Sequence, residues 1–315
     1  MQATGSRHFR ANRRYLLLVL LLTIALYVLL PQLGEFRASW HLLRRPEAGW
    51  TAAAVGFTAL TYLAGALTYC WLAFRPLRYL QVVIVQLAAM FINRLLPAGV
   101  GALGANYAYL HRQKHSAAQA ATVVAVNNCL GLAGHGLVLV IALASAPAGL
   151  RLLPTSHGNV LERVLIGLAI IVFILVVSLL VAGRHRFRRL AAELLSQLLS
   201  YRYRLRRLAA AQMSSITLTL SNVLCLGCCA LALGVHLPFV IILLIFSFGL
   251  GTGTASPTPG GLGGFEAGLT AGFIAYHVAS PTALAAALLY RLISYWLPLL
   301  AGAPALVVVQ KQQLL

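Results

Sequence analysis

Apolar positions dominate this chain in runs longer than a water-soluble helix needs. Clear apolar stretches lie at about 15–33, 50–74, 116–144, 160–182, 213–236 and 281–309. Each is close to the roughly 20 residues that a helix needs to cross the hydrocarbon core of a bilayer. Two further apolar stretches are broken. The first, about 79–110, is interrupted at Leu96-Pro97-Ala98-Gly99, and the second, about 238–279, across Ser256-Pro257-Thr258-Pro259-Gly260-Gly261. Either half of each is too short to cross alone, so each predicts a re-entrant hairpin of two half-helices. Irregular backbone at membrane depth is tolerated only where protein or a wet cavity surrounds it. The expected fold class is therefore all-α: a polytopic helical membrane protein with six full spans plus two re-entrant broken-helix hairpins.

Composition sharpens this picture. Of the 315 residues 60% are hydrophobic and only 9% charged, whereas a soluble domain carries about a quarter charged residues. The acids are five Glu and no Asp. The net charge of +19 raises nucleic acid as a partner. Its placement argues against that, since the Arg residues sit between apolar runs rather than on one basic face. Membrane orientation explains them better. With the N-terminus inside, six helices crossing and the hairpins returning to their own side, 17 Lys/Arg fall inside and five outside (Arg37, Arg44, Arg45, Arg151 and Arg163). That is the positive-inside pattern, with both termini cytoplasmic in an inner membrane. Arg7, Arg10, Arg13 and Arg14 precede the first apolar stretch, which is longer than a signal-peptide core and lacks a small-residue cleavage site. It is expected to be an uncleaved first helix. The segment 184–208, with leucines at near-helical spacing between arginines, fits either a basic amphipathic helix on the inner leaflet or an ordinary positive-inside loop.

The two broken segments are related. Pro97-Ala-Gly-Val-Gly-Ala-Leu-Gly-Ala105 lies over Pro259-Gly-Gly-Leu-Gly-Gly-Phe-Glu-Ala267, with Pro, two Gly and the last Ala in register. The same offset lays the span at 50 near that at 213, and the span at 116 near that at 281. The expected repeats are about 15–144 and 160–309, within a single domain over 1–315. Because the hairpins then enter from opposite sides, the repeat is inverted. In secondary transporters such an arrangement puts the substrate site at the repeat interface. The GxGxxG match at Gly99-Val-Gly-Ala-Leu-Gly104 lacks the preceding strand and the acidic residue about 20 positions on that a dinucleotide site requires. Its glycines are read as turn and close-packing residues.

Candidate chemistry is sparse. Glu266 is the one deep carboxylate, just past the second glycine loop (Gly260, Gly261, Gly263), and Arg291 on the next helix is its partner. Two readings stand: a substrate or proton site, or an ion pair holding hairpin to helix. Arg94, beside Asn93, precedes the first glycine loop (Gly99, Gly101) and has no acid in its own repeat. It either meets an anion together with loop N–H groups or snorkels to the interface. Asn127, Asn128 and His135 lie mid-helix, for helix–helix hydrogen bonds or cavity lining. Tyr290 lies beside Arg291. Cys225, Cys228 and Cys229 lie inside an apolar helix and read as packing residues rather than metal ligands. There is no Ser/His/Asp set, no Asp for a metal and no HExxH, so neither catalysis nor a cofactor is expected.

The motif SPTPGGLGGFEAGL over 256–269, followed by ALAAALLYRLISYWLPLLAG over 283–302, resembles the transmembrane domain of the lysylphosphatidylglycerol synthase/flippase family. NRLLPAGVGALGANYAYLHRQ over 93–113 resembles that family's first motif. The likeness runs over about residues 15–309. It implies an inner-membrane protein that moves or handles a lipid with an anionic or aminoacylated headgroup, either a phospholipid or a lipid-linked glycan. Stand-alone members are similar to partners of hopanoid or glycolipid pathways, so a non-catalytic subunit beside a lipid-modifying enzyme is the alternative. The family's soluble aminoacyl-transferase domain has no counterpart here, so lipid aminoacylation is not expected. Asn127 and Asn128 stand where the resemblance implies charged residues, and an ion-pair scheme is not carried over to that helix.

Overall fold

The computed structural model describes residue 43 and residues 46–95, 100–145, 204–256 and 258–315. The expected spans at 15–33 and 160–182, most of the basic segment 184–208, and Gly99 lie outside these residues. The described residues form eight helices and no strand. In chain order they are α1 (Ala48–Leu72), α2 (Tyr79–Leu95), α3 (Val100–Arg112), α4 (Ala117–Ala144), α5 (Leu205–Leu231), α6 (Phe239–Ala255), α7 (Gly264–Ala275) and α8 (Ser280–Lys311). A one-turn 3₁₀ segment, Pro259–Gly261, precedes α7, and α8 contains a π-turn at Leu292–Trp296. Helices α1, α4, α5 and α8 are long and apolar enough to cross a membrane, and the chain is a multi-pass membrane protein. Their outward faces carry large apolar side chains such as Leu300, 74% exposed, which water would penalise and lipid accepts.

The element order long, short, short, long occurs twice, as the motif offset predicts. The short pairs α2–α3 and α6–α7 break at the two glycine segments. Three of the long helices match expectation to within two residues at each end. Helix α5 differs: it begins at Leu205, not near 213, so Arg206 and Arg207 belong to its first turn. Hydropathy ends where the charges begin, but backbone hydrogen bonding continues, because long Arg stems can lie along the helix with their heads outside. Termini follow local chemistry. Ser116 accepts from the Gln119 N–H at 3.1 Å while Gln119 accepts from the Ser116 N–H at 3.1 Å, a reciprocal cap on α4. Pro238 and Pro281 start α6 and α8.

Helices α1 and α5 pack together more extensively than any other pair. They run antiparallel: the Glu47 N–H at the start of α1 donates to the Ala232 carbonyl just past α5, at 2.9 Å. Thr58 lies 3.3 Å from Cys225 Sγ in their shared interface, and Arg204 at the start of α5 sits over the Phe74 ring just past α1. Small residues (Ala54, Ala64, Ala66, Gly65) allow this close approach. Polar residues inside these helices spend their hydroxyls one turn back, as Ser214 on the Ala210 carbonyl and Ser221 on Thr217 do. Because each short pair starts where its long helix ends, α2–α3 begins at one end of the bundle and α6–α7 at the other. Of the ten described Lys and Arg, eight lie at the first end: Arg75, Arg78, Arg112, Lys114, Arg204, Arg206, Arg207 and Lys311. The remaining two are Arg94 and Arg291.

Candidate functional site

The Pro259–Gly261 turn, at the tip of the second short pair, contacts α2 of the first. The local chain explains why. Gly260 and Gly261 both have positive φ (65° and 66°), which an L side chain adopts only at a cost. A Cβ at Gly261 would lie 2.7 Å from the Gly253 carbonyl oxygen, and one at Gly260 would lie 2.8 Å from the Tyr295 ring. This backbone aims both glycine carbonyls at one point, and Arg291 Nη2 donates to each at 3.1 Å.

Arg291 is 5% exposed. Its Nε donates to Glu266 Oε1 at 2.7 Å, and Nη2 reaches Oε2 at 3.3 Å. Glu266 Oε2 also accepts the Gly263 N–H at 2.8 Å, which ties the carboxylate to the first turn of its own helix. The Arg291 guanidinium carbon further lies 4.6 Å from the Phe265 ring centroid and 4.8 Å from that of Tyr295. The pair is therefore satisfied on both sides. The second glycine loop spends its carbonyls on a cation and one N–H on a carboxylate, rather than offering a nest of N–H groups to an anion.

Arg94 is different. It ends α2, is partly buried, and lies with its guanidinium carbon 3.8 Å from the Tyr295 ring centroid. Nε contacts Met90 Sδ at 3.4 Å. Among the described residues no carboxylate pairs with it; the one ion pair there is Arg291–Glu266. Tyr62, Tyr290 and Arg291 are near enough to interact with it electrostatically. The guanidinium lies against the Tyr295 ring rather than extending past the end of α2 alone. Asn93 acts locally: its Oδ1 accepts the Ala102 N–H at 3.2 Å at the start of α3. Gly101 permits this closeness, since a Cβ there would fall 2.7 Å from the Asn93 Cα.

The other sequence-predicted residues stand apart. Tyr290 is buried, stacked on Phe265 with centroids 5.8 Å apart, and its hydroxyl is 3.4 Å from Asn222 Oδ1. It packs the cluster's floor rather than opening to it. Asn128 is exposed and donates to the Val124 carbonyl one turn back, at 2.8 Å. No hydrogen bond among the described residues joins it to the cluster. Asn127 reaches Tyr69 and His135 reaches Ser247, both helix-to-helix bonds. Tyr295 is the residue that sequence reasoning missed. It lies one turn beyond Arg291 and touches both cations and Gly260. The signal was an aromatic four positions after a deep arginine.

The described His, Cys and Glu side chains form no group of three that could hold a metal ion. A family model described as the lysylphosphatidylglycerol synthase TM region matches residues 15–302. No curated protein matches the chain.

Proposed function

The chain belongs to the lysylphosphatidylglycerol synthase transmembrane family, and from that membership and the Arg94–Tyr295–Arg291 cluster we propose that it is a lipid flippase-like transporter. Its substrate is a lipid with an anionic or aminoacylated headgroup, carried across the inner membrane without chemistry at the headgroup. The single observation that carries this reading is the pair of guanidinium groups beside one carboxylate where the broken segments meet. A cation at membrane depth is costly unless it has a partner or a task, and Arg94 has no acidic partner among the described residues.

The architecture supports the same reading. Two halves of like element order, with antiparallel leading helices and short pairs starting from opposite ends, fit an inverted repeat with re-entrant hairpins. Rocking one half against the other would expose the shared cluster to each side in turn. The eight cations gathered at one end fit a cytoplasmic face at that end.

The test is reconstitution into vesicles carrying a fluorescent anionic phospholipid, with translocation followed by chemical quenching from outside. The protein is expected to move the lipid, and Arg94→Ala to lose most of that activity. Lipid binding without translocation by the unaltered chain would instead favour a non-catalytic subunit beside a lipid-modifying enzyme.

A further inference from the structure

We propose that Tyr295 is a positioning residue that turns Arg94 into a fork for a singly charged phosphodiester. This rests on the reading of the chain as a binder of lipid headgroups and names the part of the headgroup that is held. The Arg94 guanidinium carbon lies over the Tyr295 ring, 3.8 Å from its centroid, held by cation–π attraction. This contact holds the group without forming a hydrogen bond to any of its N–H donors. Nε meets only the thioether of Met90, a weak acceptor, and neither Nη1 nor Nη2 has a hydrogen bond among the described residues. The result is a guanidinium held against a ring with two Nη nitrogens that make no hydrogen bond among the described residues, a donor pair that matches two oxygens of one phosphate.

The charge balance selects the ligand. Two guanidinium groups and one carboxylate leave a single positive charge at the cluster. A phosphodiester, with one negative charge, neutralises it. A phosphate monoester carrying two would leave an unpaired buried charge, which low-dielectric surroundings penalise. Of the two headgroup classes, this favours the anionic one over an aminoacylated one bearing an extra cation. Tyr295 is placed for the task by the π-turn Leu292–Trp296. Such turns insert a residue into a helix and re-aim the side chains around it.

The experiment measures binding of short-chain phosphatidylglycerol, and separately of inorganic phosphate, to the detergent-solubilised full chain by calorimetry. Tyr295→Leu is expected to weaken phosphatidylglycerol binding about tenfold, between the scales of an exposed and a desolvated cation–π contact. Tyr295→Phe, which keeps the ring, is expected to restore most of it. In an Arg94→Ala background Tyr295→Leu is expected to cost nothing more, since the ring acts through Arg94. Should Tyr295→Leu fail to insert, Tyr295→Met replaces it. A Phe variant as weak as the Leu variant, or an equal Leu effect in both backgrounds, overturns the positioning role. Inorganic phosphate binding as tightly as the lipid overturns the diester assignment. Unchanged binding in Arg94→Ala alone would instead sink the headgroup reading beneath it.

Discussion

Arg291 and Glu266 meet as a two-bond fork, Nε to Oε1 at 2.7 Å and Nη2 to Oε2 at 3.3 Å, across the gap between α7 and α8. The same nitrogen, Nη2, fastens the Gly260 and Gly261 carbonyls. Removing Arg291 therefore strands a carboxylate and two carbonyls together. Arg291→Ala is expected to lose about 3–5 kcal/mol, the cost of breaking one side of a buried pair. Glu266→Gln keeps an acceptor for the Gly263 N–H but leaves Arg291 uncompensated, and is expected to lose less. The double variant Glu266→Gln/Arg291→Met is expected to recover stability without recovering translocation. Thermal unfolding in nanodiscs beside a flipping assay checks both, and a double variant that regains transport would assign the pair to structure alone.

The second glycine loop makes a sharper demand. Gly261→Ala puts a Cβ against the Gly253 carbonyl and an L residue at positive φ. A conformational cost of about 1–2 kcal/mol is expected before any steric term. Gly263 also has positive φ but open space around its Cβ direction. Gly263→Ala should thus cost the conformational part alone. Equal melting temperatures for the two variants would contradict this ordering.

The arrangement of the short pairs predicts accessibility. In a background with Cys70 and Cys129 replaced, single cysteines at Arg75 and Lys114 are expected to react with an impermeant thiol reagent from one face. Cysteines at His236 and His277 should react from the other. The reason is the antiparallel α1–α5 pair, which puts the ends of α1 and α5 on opposite sides. Labelling of all four from the same face would remove the inverted repeat and the transport scheme with it.

His115 supplies a pH test in the turn between α3 and α4. It is 2% exposed; its Nε2 accepts the Arg75 N–H at 3.2 Å and its Nδ1 is 3.1 Å from the Leu110 carbonyl. Burial holds it below its ordinary value of 6.5, and the Arg75 charge adds to that, against two backbone hydrogen bonds that favour the cation. His111, whose Nδ1 lies 3.2 Å from the His115 carbonyl, and Lys114 are its other polar neighbours. With the folded value depressed, the neutral ring contributes fully above 6.5. As pH falls the unfolded chain takes up the proton first, so stability declines until the folded ring protonates too. Melting curves between about pH 8 and pH 5 should show this fall in the unaltered protein and a flatter profile in His115→Gln. A profile of the same slope in both would rule His115 out as its source.

Much of the architecture was legible because a bilayer imposes it. A helix that must satisfy its own backbone and cross a fixed thickness writes itself as a long apolar run, and Gly-Pro segments mark where the run breaks. One offset between two motifs laid α1 over α5 and α4 over α8, and the described helices repeat the same order of lengths. The pairing of Glu266 with Arg291 was legible for a similar reason, since a lone deep carboxylate needs a cation and one stood on the next helix. The start of α5 was not, because hydropathy stops at Arg206 and Arg207 while the helix does not.

What the sequence by itself determined is the membrane class and, among the described residues, the order of long and short helices, both set by composition and local periodicity. What only the tertiary structure decided is how each deep arginine is held. The sequence paired Arg291 with Glu266 and left Arg94 without an acid, but it showed neither the glycine carbonyls on one nor the ring on the other. Contacts from α7 and the glycine turn saturate one, while a ring on the π-turn of α8 orients the other and leaves its Nη donors free among the described residues. Such contacts join positions far apart in the chain, through a local change in helix winding that no residue pattern announces. They exist only once the two halves have packed.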